Sequence, residues 1–218
     1  MKRRLLIAFA AVLLVLAGGV FALKPATVPP EIIQASVTQQ PERLERAWSL
    51  PVAATYREGF AYQSNGSLCG PASLGNVFHS MRRGPVSEKD VLAGSGLCWT
   101  GFCILGLSLD ELAGVALVHA SKVTVLRDLT LEQFREEMRQ TNDLARRYVV
   151  NFTREKIFGA GVGHHSPIGG YLEAEDMVFV LDVNEHFKPW LIETDRLFAA
   201  MDTVDSDGSK KRGLLRIE

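Results

Sequence analysis

The segment QSNGSLCGPASLGNVFHSM, residues 63–81, contains a polar loop that leads into a predicted helix at Cys69. Pro71 suits the first turn of that helix, because the N–H that proline lacks has no helical partner there. One apolar stripe at helical spacing follows, formed by Leu74, Val77, Phe78 and Met81. The sequence therefore predicts a buried helix with a cysteine in its first turn.

The rest of the chain divides into a helical half and a strand-rich half. Capping patterns with Ser or Thr three residues before Asp, Glu or Gln predict helices after Ser87, Ser108 and Thr130, the last one reaching about Leu144. Later segments predict strands over 123–126, 148–152, 166–172, 177–183 and 214–217, and a short helix over 194–201. This segregation predicts an α+β fold with an antiparallel sheet in its C-terminal half.

Cys69 is a candidate nucleophile because of its place in the predicted helix. A thiolate at a helix start lies at the positive end of the helix dipole, which lowers its pKa. The polar loop before it leaves the sulfur accessible. Position alone does not separate this role from that of a buried structural cysteine, so the assignment depends on a base elsewhere in the chain.

The base is predicted in the segment GVGHHSPIGGY at residues 161–171. If strands 166–172 and 177–183 form a hairpin, facing positions sum to about 348 and His164 meets Asp182 at one end. The carboxylate can then orient the imidazole toward the thiol, in the order Cys, His, Asp. His165 points to the opposite face of the strand and is predicted not to be the base.

Gln63 stands six residues before Cys69. A side-chain amide there can donate to an oxyanion beside the backbone N–H of Cys69. A plain surface polar residue is the alternative.

Four separated motifs resemble the catalytic domain of phytochelatin synthases, which are papain-like enzymes that use glutathione. They are Gln63 with CGPASL at 69–74, GHHSPIGGY at 163–171, LDV at 181–183, and AMDTVDSDGSKKRG at 200–213. The resemblance covers the chain from about Tyr56 to Glu218. It implies a papain-like cysteine-protease fold, with Cys69 in the helical half and the catalytic His and Asp on the antiparallel sheet.

The resemblance implies a role for each residue of the predicted triad. Cys69 attacks the Cys–Gly bond of glutathione, glycine leaves, and a γ-glutamylcysteinyl thioester remains on the sulfur. His164 acts as base and then as acid, Asp182 orients it, and Gln63 helps to hold the oxyanion.

Asp205 and Arg212 match family positions associated with binding the γ-glutamyl head. An α-amino group and an α-carboxylate call for one anion and one cation, and arginine can bind a carboxylate in a bidentate manner. Without the resemblance, Arg212 would belong to a solvated turn. No tightly bound cofactor is implied and no metal-ligand set is readable, whereas cadmium or zinc would act through thiolate-bound glutathione.

The segment after Asp182 departs from the family. Plant members continue with an arginine and a Tyr-Pro-Pro stretch, whereas this chain has the shorter NEHFKPW at residues 184–190, with Glu185 near the place of that arginine. The departure affects the site of the second substrate and leaves the acylating residues intact. It predicts that the thioester reacts chiefly with water.

The N-terminus has the pattern of a targeting segment. Basic residues 2–4 precede the uncharged run Leu5–Leu23, and cleavage after Ala22 would give a signal peptide over 1–22. An uncleaved membrane anchor is the alternative, since a run of this length can span a bilayer. Both predict an exported protein, either periplasmic or anchored to the membrane facing the periplasm. Residues 23–45 are predicted to be a proline-rich linker, and residues 46–218 the catalytic domain.

Composition argues against a disordered, collagen-like or low-complexity chain and against a nucleic-acid partner. Hydrophobic residues make up 47% and charged residues 22%, which is ordinary for a globular protein. With 24 basic and 25 acidic residues, a nucleic-acid partner is not expected. The sequence leaves open whether the protein forms a homodimer.

The other cysteines leave two alternatives. In an oxidising compartment, Cys98 and Cys103 can close a short disulfide around Gly101 and leave Cys69 as the free thiol, or they are two buried thiols. A thiol or metal-binding protein using this pair has an incomplete zinc set. A papain-like peptidase acting on other peptides is the stronger competing function.

Overall fold

The structure is a computed structural model that describes residues 27–98, 100–103 and 106–218. The predicted targeting segment at 1–22 lies outside the described residues. Within these ranges, no helix combines the length and the apolar character needed to cross a membrane.

The segment predicted as a proline-rich linker, residues 23–45, is largely helical in its described part from residue 27 onward. Helices α1 (Pro30–Ser36), α2 (Pro41–Trp48) and α3 (Pro51–Arg57) each begin at a proline. Proline is preorganised for the first turn of a helix, so the residues that indicated a linker begin helices instead. Val28 and Ile33 are buried in the core. The prediction of a domain starting at residue 46 is therefore wrong, because packing begins near residue 28.

Of the six further helices among the described residues, five follow the capping and spacing signals of the sequence, whereas the short helix Arg154–Phe158 was not predicted. Ser108 and Thr130 form the predicted capping boxes, and the Ser87 side chain caps its helix through the backbone N–H of Asp90. The helix after Thr130 ends before Leu144, because Asn142 turns away to bond the backbone of Tyr171. These helices are α4 (Cys69–Ser80), α5 (Glu88–Leu92), α6 (Leu109–His119), α7 (Leu131–Gln140), α8 (Arg154–Phe158) and α9 (Thr194–Met201).

The six strands of the described residues form one antiparallel sheet in the order β1-β6-β2-β3-β4-β5. In β3–β4, Ile168 pairs with Val180, which is the predicted register, and a bulge shifts the pairing by one residue beyond it. The sequence did not predict β5, and β4 ends earlier than expected. The strands are β1 (Val123–Leu126), β2 (Arg147–Thr153), β3 (Gly163–Leu172), β4 (Met177–Val180), β5 (Trp190–Glu193) and β6 (Leu214–Ile217).

Each face of the sheet carries its own apolar core. One core joins Val149 and Phe179 of the sheet to α3, α4 and α6. The other joins Phe152 and Trp190 to α7 and α9. The predicted α+β architecture is confirmed, with Cys69 at the start of a buried helix and both His164 and Asp182 in the sheet half.

Candidate active site

Cys69 is the first residue of α4 and is 6% exposed. One turn later, the Ser73 hydroxyl donates to the carbonyl of Cys69 at 2.7 Å and lies 3.1 Å from the carbonyl of His165 on β3. This hydroxyl therefore joins the start of α4 to the strand that carries both histidines.

His164 and Asp182 form the pair that the hairpin register predicts. His164 Nε2 lies 3.0 Å from Asp182 Oδ1, and both side chains are buried. Arg154 Nη2 donates to the same oxygen at 2.8 Å, and Trp190 Nε1 donates to Oδ2 at 3.1 Å. The carboxylate is thus fixed from both sides, and it in turn fixes the imidazole.

The electrostatics of the site favour an ionised thiol. Burial by itself raises the pKa of Cys69, but His164, and to a lesser degree His165, lower it well below its usual value. Burial and the Arg154 charge lower the pKa of His164, whereas Asp182 and Cys69 raise it, and the result lies above the usual imidazole value. Burial raises the pKa of Asp182, yet Arg154 and His164 hold it far below the usual range. A thiolate beside an imidazolium is the state that these shifts favour.

His165 also contacts the thiol, which the sequence analysis did not expect. It faces away from His164, because His164 packs against Phe152 of one core while His165 is opposite Asn151 on the next position of β2. However, α4 packs on the His165 side, so His165 Nδ1 lies 3.8 Å from Cys69 Sγ. The choice of His164 as base stays a prediction, supported by its bond to Asp182.

Gln63 holds the loop before Cys69. Its Nε2 donates to the carbonyl of Asn65 at 2.8 Å, and its backbone N–H donates to the carbonyl of Val183 at 2.7 Å. The second tie joins the loop to the segment that follows Asp182. An oxyanion bond from Gln63 stays a prediction, which the second hydrogen of Nε2 would have to supply.

A cavity of about 510 Å³ opens beside the thiol, and we call it the donor cavity. Asp205 Oδ2 accepts bonds from Leu109 N at 2.8 Å and from Asn151 Nδ2 at 2.9 Å. Arg212 Nε lies 3.9 Å from Asp205 Oδ1 and has no hydrogen-bond partner among the described residues. The residues lining the cavity include Cys69, Asn151, Gly163, His165, Asp205 and Arg212.

Gly163 is required by the close approach of Arg212. A Cβ at this position would lie 2.7 Å from Arg212 Nη2, so a larger residue would displace the guanidinium. The glycine that precedes the histidine pair thus keeps the cation of the donor cavity in place. The structure brings Asp205 and Arg212 into one cavity with Cys69, as the resemblance implied.

A second cavity of about 820 Å³, which we call the outer cavity, shares no lining residue with the donor cavity. It is bordered by Tyr62, Lys188 and Arg196. Glu185 is exposed nearby, and its charge is the largest influence after burial that raises the pKa of Tyr62. The His186 ring is held by the carbonyl of Val28 at 2.7 Å. Lys188 is thus the one cation of segment 184–190 whose side chain borders this cavity.

Of the two alternatives for Cys98 and Cys103, the structure has the disulfide, and Cys69 is the free cysteine. The backbone N–H of Cys103 donates to Ser67 Oγ at 3.1 Å, which links the disulfide loop to the loop before the nucleophile. Among the described residues, no group of three or more His, Cys, Asp or Glu is placed to hold a metal ion. A thiol-binding role for Cys98 and Cys103 has no free sulfur to use.

Sequence reasoning missed Arg154 and Trp190, the two other side chains on Asp182. Arg154 directly follows β2, and its guanidinium also lies 3.5 Å from the centre of the Phe187 ring. The sequence gives no sign that a lone arginine at a strand end is buried beside a carboxylate, because its burial depends on the pairing of β2 with β3. Trp190 belongs to β5, the strand that was not predicted.

Two solved structures resemble the fold. The peptidase domain of Streptococcus ComA, a bi-functional ABC transporter involved in a quorum sensing pathway, gives a TM-score of 0.48 at 15% identity, covering 72% of this chain and 93% of that one. The peptidase domain of Streptococcus mutans ComA gives 0.42 at 16% identity, covering 72% and 95%.

Several curated proteins resemble the sequence. Glutathione gamma-glutamylcysteinyltransferase 2 of Arabidopsis thaliana is 28% identical over 72% of this chain and 38% of its own length. Glutathione gamma-glutamylcysteinyltransferase 1 of Lotus japonicus is 26% identical over 87% of this chain and 40% of its own length. The chain therefore spans about two fifths of the length of these relatives. A sequence profile of the phytochelatin synthase family matches residues 23–214, so the chain belongs to the phytochelatin synthase family.

Proposed function

We propose that this protein removes glycine from glutathione through a γ-glutamylcysteinyl thioester on Cys69. One observation carries the proposal. The thiol, with His164 and Asp182 behind it, borders a cavity that the buried residues Asp205 and Arg212 also line. An anion and a cation at that place match the α-amino and α-carboxylate groups of a γ-glutamyl head.

The reaction divides into two steps. The Cys69 thiolate attacks the carbonyl carbon of the Cys–Gly bond, and the His164 imidazolium gives its proton to the departing amine of glycine. Neutral His164 then removes a proton from the acceptor, which attacks the thioester and restores the thiolate. Asp182 keeps the imidazole oriented throughout, because it holds Nε2 and leaves the other ring nitrogen for the proton.

Water is proposed as the main acceptor, which makes γ-glutamylcysteine the main product. Transfer to a second glutathione requires its carboxylate to be held near the thioester, most readily by arginine. Glu185 near that place would repel the carboxylate, and the His186 ring is engaged with Val28. Phytochelatin formation, and with it a part in heavy-metal detoxification, is then a minor outcome even with a soft metal such as cadmium bound to the substrate thiols.

We further propose that the protein is exported, with residues 1–22 as a signal peptide or an anchor. The oxidised state of Cys98 and Cys103 supports this location, because disulfides persist in oxidising compartments. Alkaline phosphatase fused after Ala22 should be active if the segment directs export. A homodimer is a separate proposal, which sedimentation tests.

The competing function is that of a papain-like peptidase. It differs from the proposed function in whether the enzyme prefers a γ-glutamyl linkage over an α-glutamyl linkage. Glutathione and its α-linked isomer Glu-Cys-Gly have the same composition and the same scissile bond. We expect kcat/KM for glycine release to be at least about a hundredfold higher for the γ-linked substrate. The α-linked isomer would leave Asp205 or Arg212 unpaired. Arg212→Gln should remove most of this preference. Equal rates on both isomers would instead support the peptidase.

A further inference from the structure

His165 lines the donor cavity and has one buried ring nitrogen without a hydrogen-bond partner. The residue is 3% exposed and lines the cavity together with Asp205 and Arg212. Its Nδ1 lies 3.8 Å from Cys69 Sγ. Its Nε2 is fully buried and makes no hydrogen bond to any described residue.

Other histidines of the structure are satisfied at the same ring position. Nε2 of His164 bonds Asp182, that of His119 bonds the carbonyl of Val91, and that of His186 bonds the carbonyl of Val28. A buried polar group without a partner destabilises a fold, so such a group calls for an explanation. A ligand that enters the donor cavity would provide the missing partner.

The chemistry of the thiol decides which hydrogen bond Nε2 can make. A thiolate only accepts, so the nitrogen beside it, Nδ1, carries the proton. In a neutral imidazole, Nε2 is then an acceptor and requires a donor from the ligand. A γ-glutamylcysteinyl group offers two kinds of donor, namely the α-ammonium and the amide N–H. The ammonium is matched by Asp205, which leaves the amide N–H.

We propose that His165 is a substrate-binding residue that donates from Nδ1 to the Cys69 thiolate and accepts at Nε2 from the amide N–H between the γ-glutamyl and cysteinyl residues. The inference rests on the proposed function for the identity of the ligand. It gives the two adjacent histidines separate tasks. His164 moves protons, whereas His165 transfers none and holds both the nucleophile and the acyl group.

Three substitutions separate the two bonds of His165. His165→Phe keeps the ring volume and removes both nitrogens. His165→Asn places an amide near Nδ1 only, and His165→Gln places one near Nε2 only. His79→Gln is the matched control, because His79 is an exposed histidine later on the same helix as Cys69.

Two measurements read the bonds independently. The rate of Cys69 alkylation by iodoacetamide at a fixed pH below the thiol pKa reports the thiolate without any substrate. His165→Phe and His165→Gln should lower this rate about tenfold, and His165→Asn should not. Steady-state glycine release from glutathione reports the amide bond. His165→Phe and His165→Asn should raise KM about tenfold with little change in kcat, and His165→Gln should not, because the bond exists before and during the reaction.

The inference is judged by which of the three variants changes the alkylation rate and which changes KM, and not by a loss of activity alone. If His165→Phe changes neither the alkylation rate nor KM, the inference is overturned. It is also overturned if all three variants fail alike in both measurements with lowered thermal stability, since that describes a structural role. If wild-type protein is alkylated normally and never releases glycine, the proposed function fails, while the alkylation series still tests the Nδ1 bond.

Discussion

The donor cavity and the outer cavity differ in how completely they are built. On the donor side, Asp205 and Arg212 are both buried, and Gly163 leaves room for the guanidinium. On the outer side, segment 184–190 presents an exposed Glu185 and an exposed Lys188 beside an open groove. The donor side is preorganised for one charged head group, whereas the outer side holds no buried cation in that segment.

Acylation and transfer can therefore be separated within one fold. A preorganised pocket determines which acyl group reaches Cys69, because its charges are already placed and desolvated. An exposed pair of opposite charges gives an incoming carboxylate little net attraction, since surface charges are screened. Four perturbations test this contrast and are given in order of decreasing expected effect.

Removing the nucleophile should break the donor side completely. Cys69→Ala should lower glycine release by more than about a thousandfold, because covalent catalysis has no substitute group at that place. The fold should persist, as judged by circular dichroism and the thermal midpoint, since the residue is small and lies in the first turn of α4. Residual turnover above a few per cent of the wild-type rate would contradict the assignment of Cys69 as the nucleophile.

Neutralising the carboxylate behind His164 should damage both activity and stability. Asp182→Asn is expected to lower kcat by at least about a hundredfold, because the imidazole loses its orienting partner. It also leaves the buried Arg154 charge unpaired, which should cost about 3–5 kcal/mol of the free energy of unfolding.

Denaturant unfolding and single-turnover rates measure the two effects separately. The double variant Asp182→Asn with Arg154→Met should regain stability and not activity. An unchanged unfolding free energy in Asp182→Asn would show that the ion pair is not formed.

Reversing the exposed charge on the outer side should shift products and spare acylation. Glu185→Arg is expected to raise the share of peptides with two γ-glutamylcysteine units up to about fivefold, the effect of roughly 1 kcal/mol at a surface site. Total glycine release should stay close to wild type. Glu193→Arg is the matched control, because Glu193 is an exposed acidic residue of β5 that lines the outer cavity and lies outside segment 184–190.

Chromatography of the products with glutathione in excess measures the ratio. If wild type already forms more transfer product than free dipeptide, the acceptor argument is wrong. If Glu185→Arg and Glu193→Arg act alike, the effect is one of general charge and not of the segment after Asp182.

Opening the disulfide should have the smallest effect. Thiol titration of unfolded, unreduced protein should find one thiol, that of Cys69. Cys98→Ser with Cys103→Ser should cost about 2 kcal/mol of unfolding free energy, the entropy expected for so short a loop. Glycine release should change less than about threefold. Three thiols in the unreduced protein would contradict the bridge.

The sequence predicted the positions of the candidate residues better than the fold around them. Cys69 at a helix start and His164 beside Asp182 follow from a helix signal and a hairpin register, which are local features that need no knowledge of distant packing. The register held at Ile168 and Val180 despite the bulge that follows. Asp205 and Arg212 came from the resemblance, since nothing in residues 200–213 alone indicates a buried ion pair.

The failures share a cause in tertiary context. Prolines at 30, 41 and 51 fit both an extended chain and a helix start, and only burial of their helices decides between the two. The contact of His165 with Cys69 depended on which face of β3 receives α4. Alternation along a strand gives two faces, but it does not say which of them a helix covers.

The acyl-enzyme on Cys69 is tested by the intact mass of the protein after rapid mixing with glutathione and quenching in acid. We predict an added mass equal to one γ-glutamylcysteinyl group, located on Cys69 by peptide mapping, and no addition in Cys69→Ala. The α-linked isomer should give far less of the adduct. A mass corresponding to whole glutathione, reversible by reductant, would indicate a mixed disulfide. That result, or an unmodified protein that still releases glycine, would contradict the proposed acyl-enzyme.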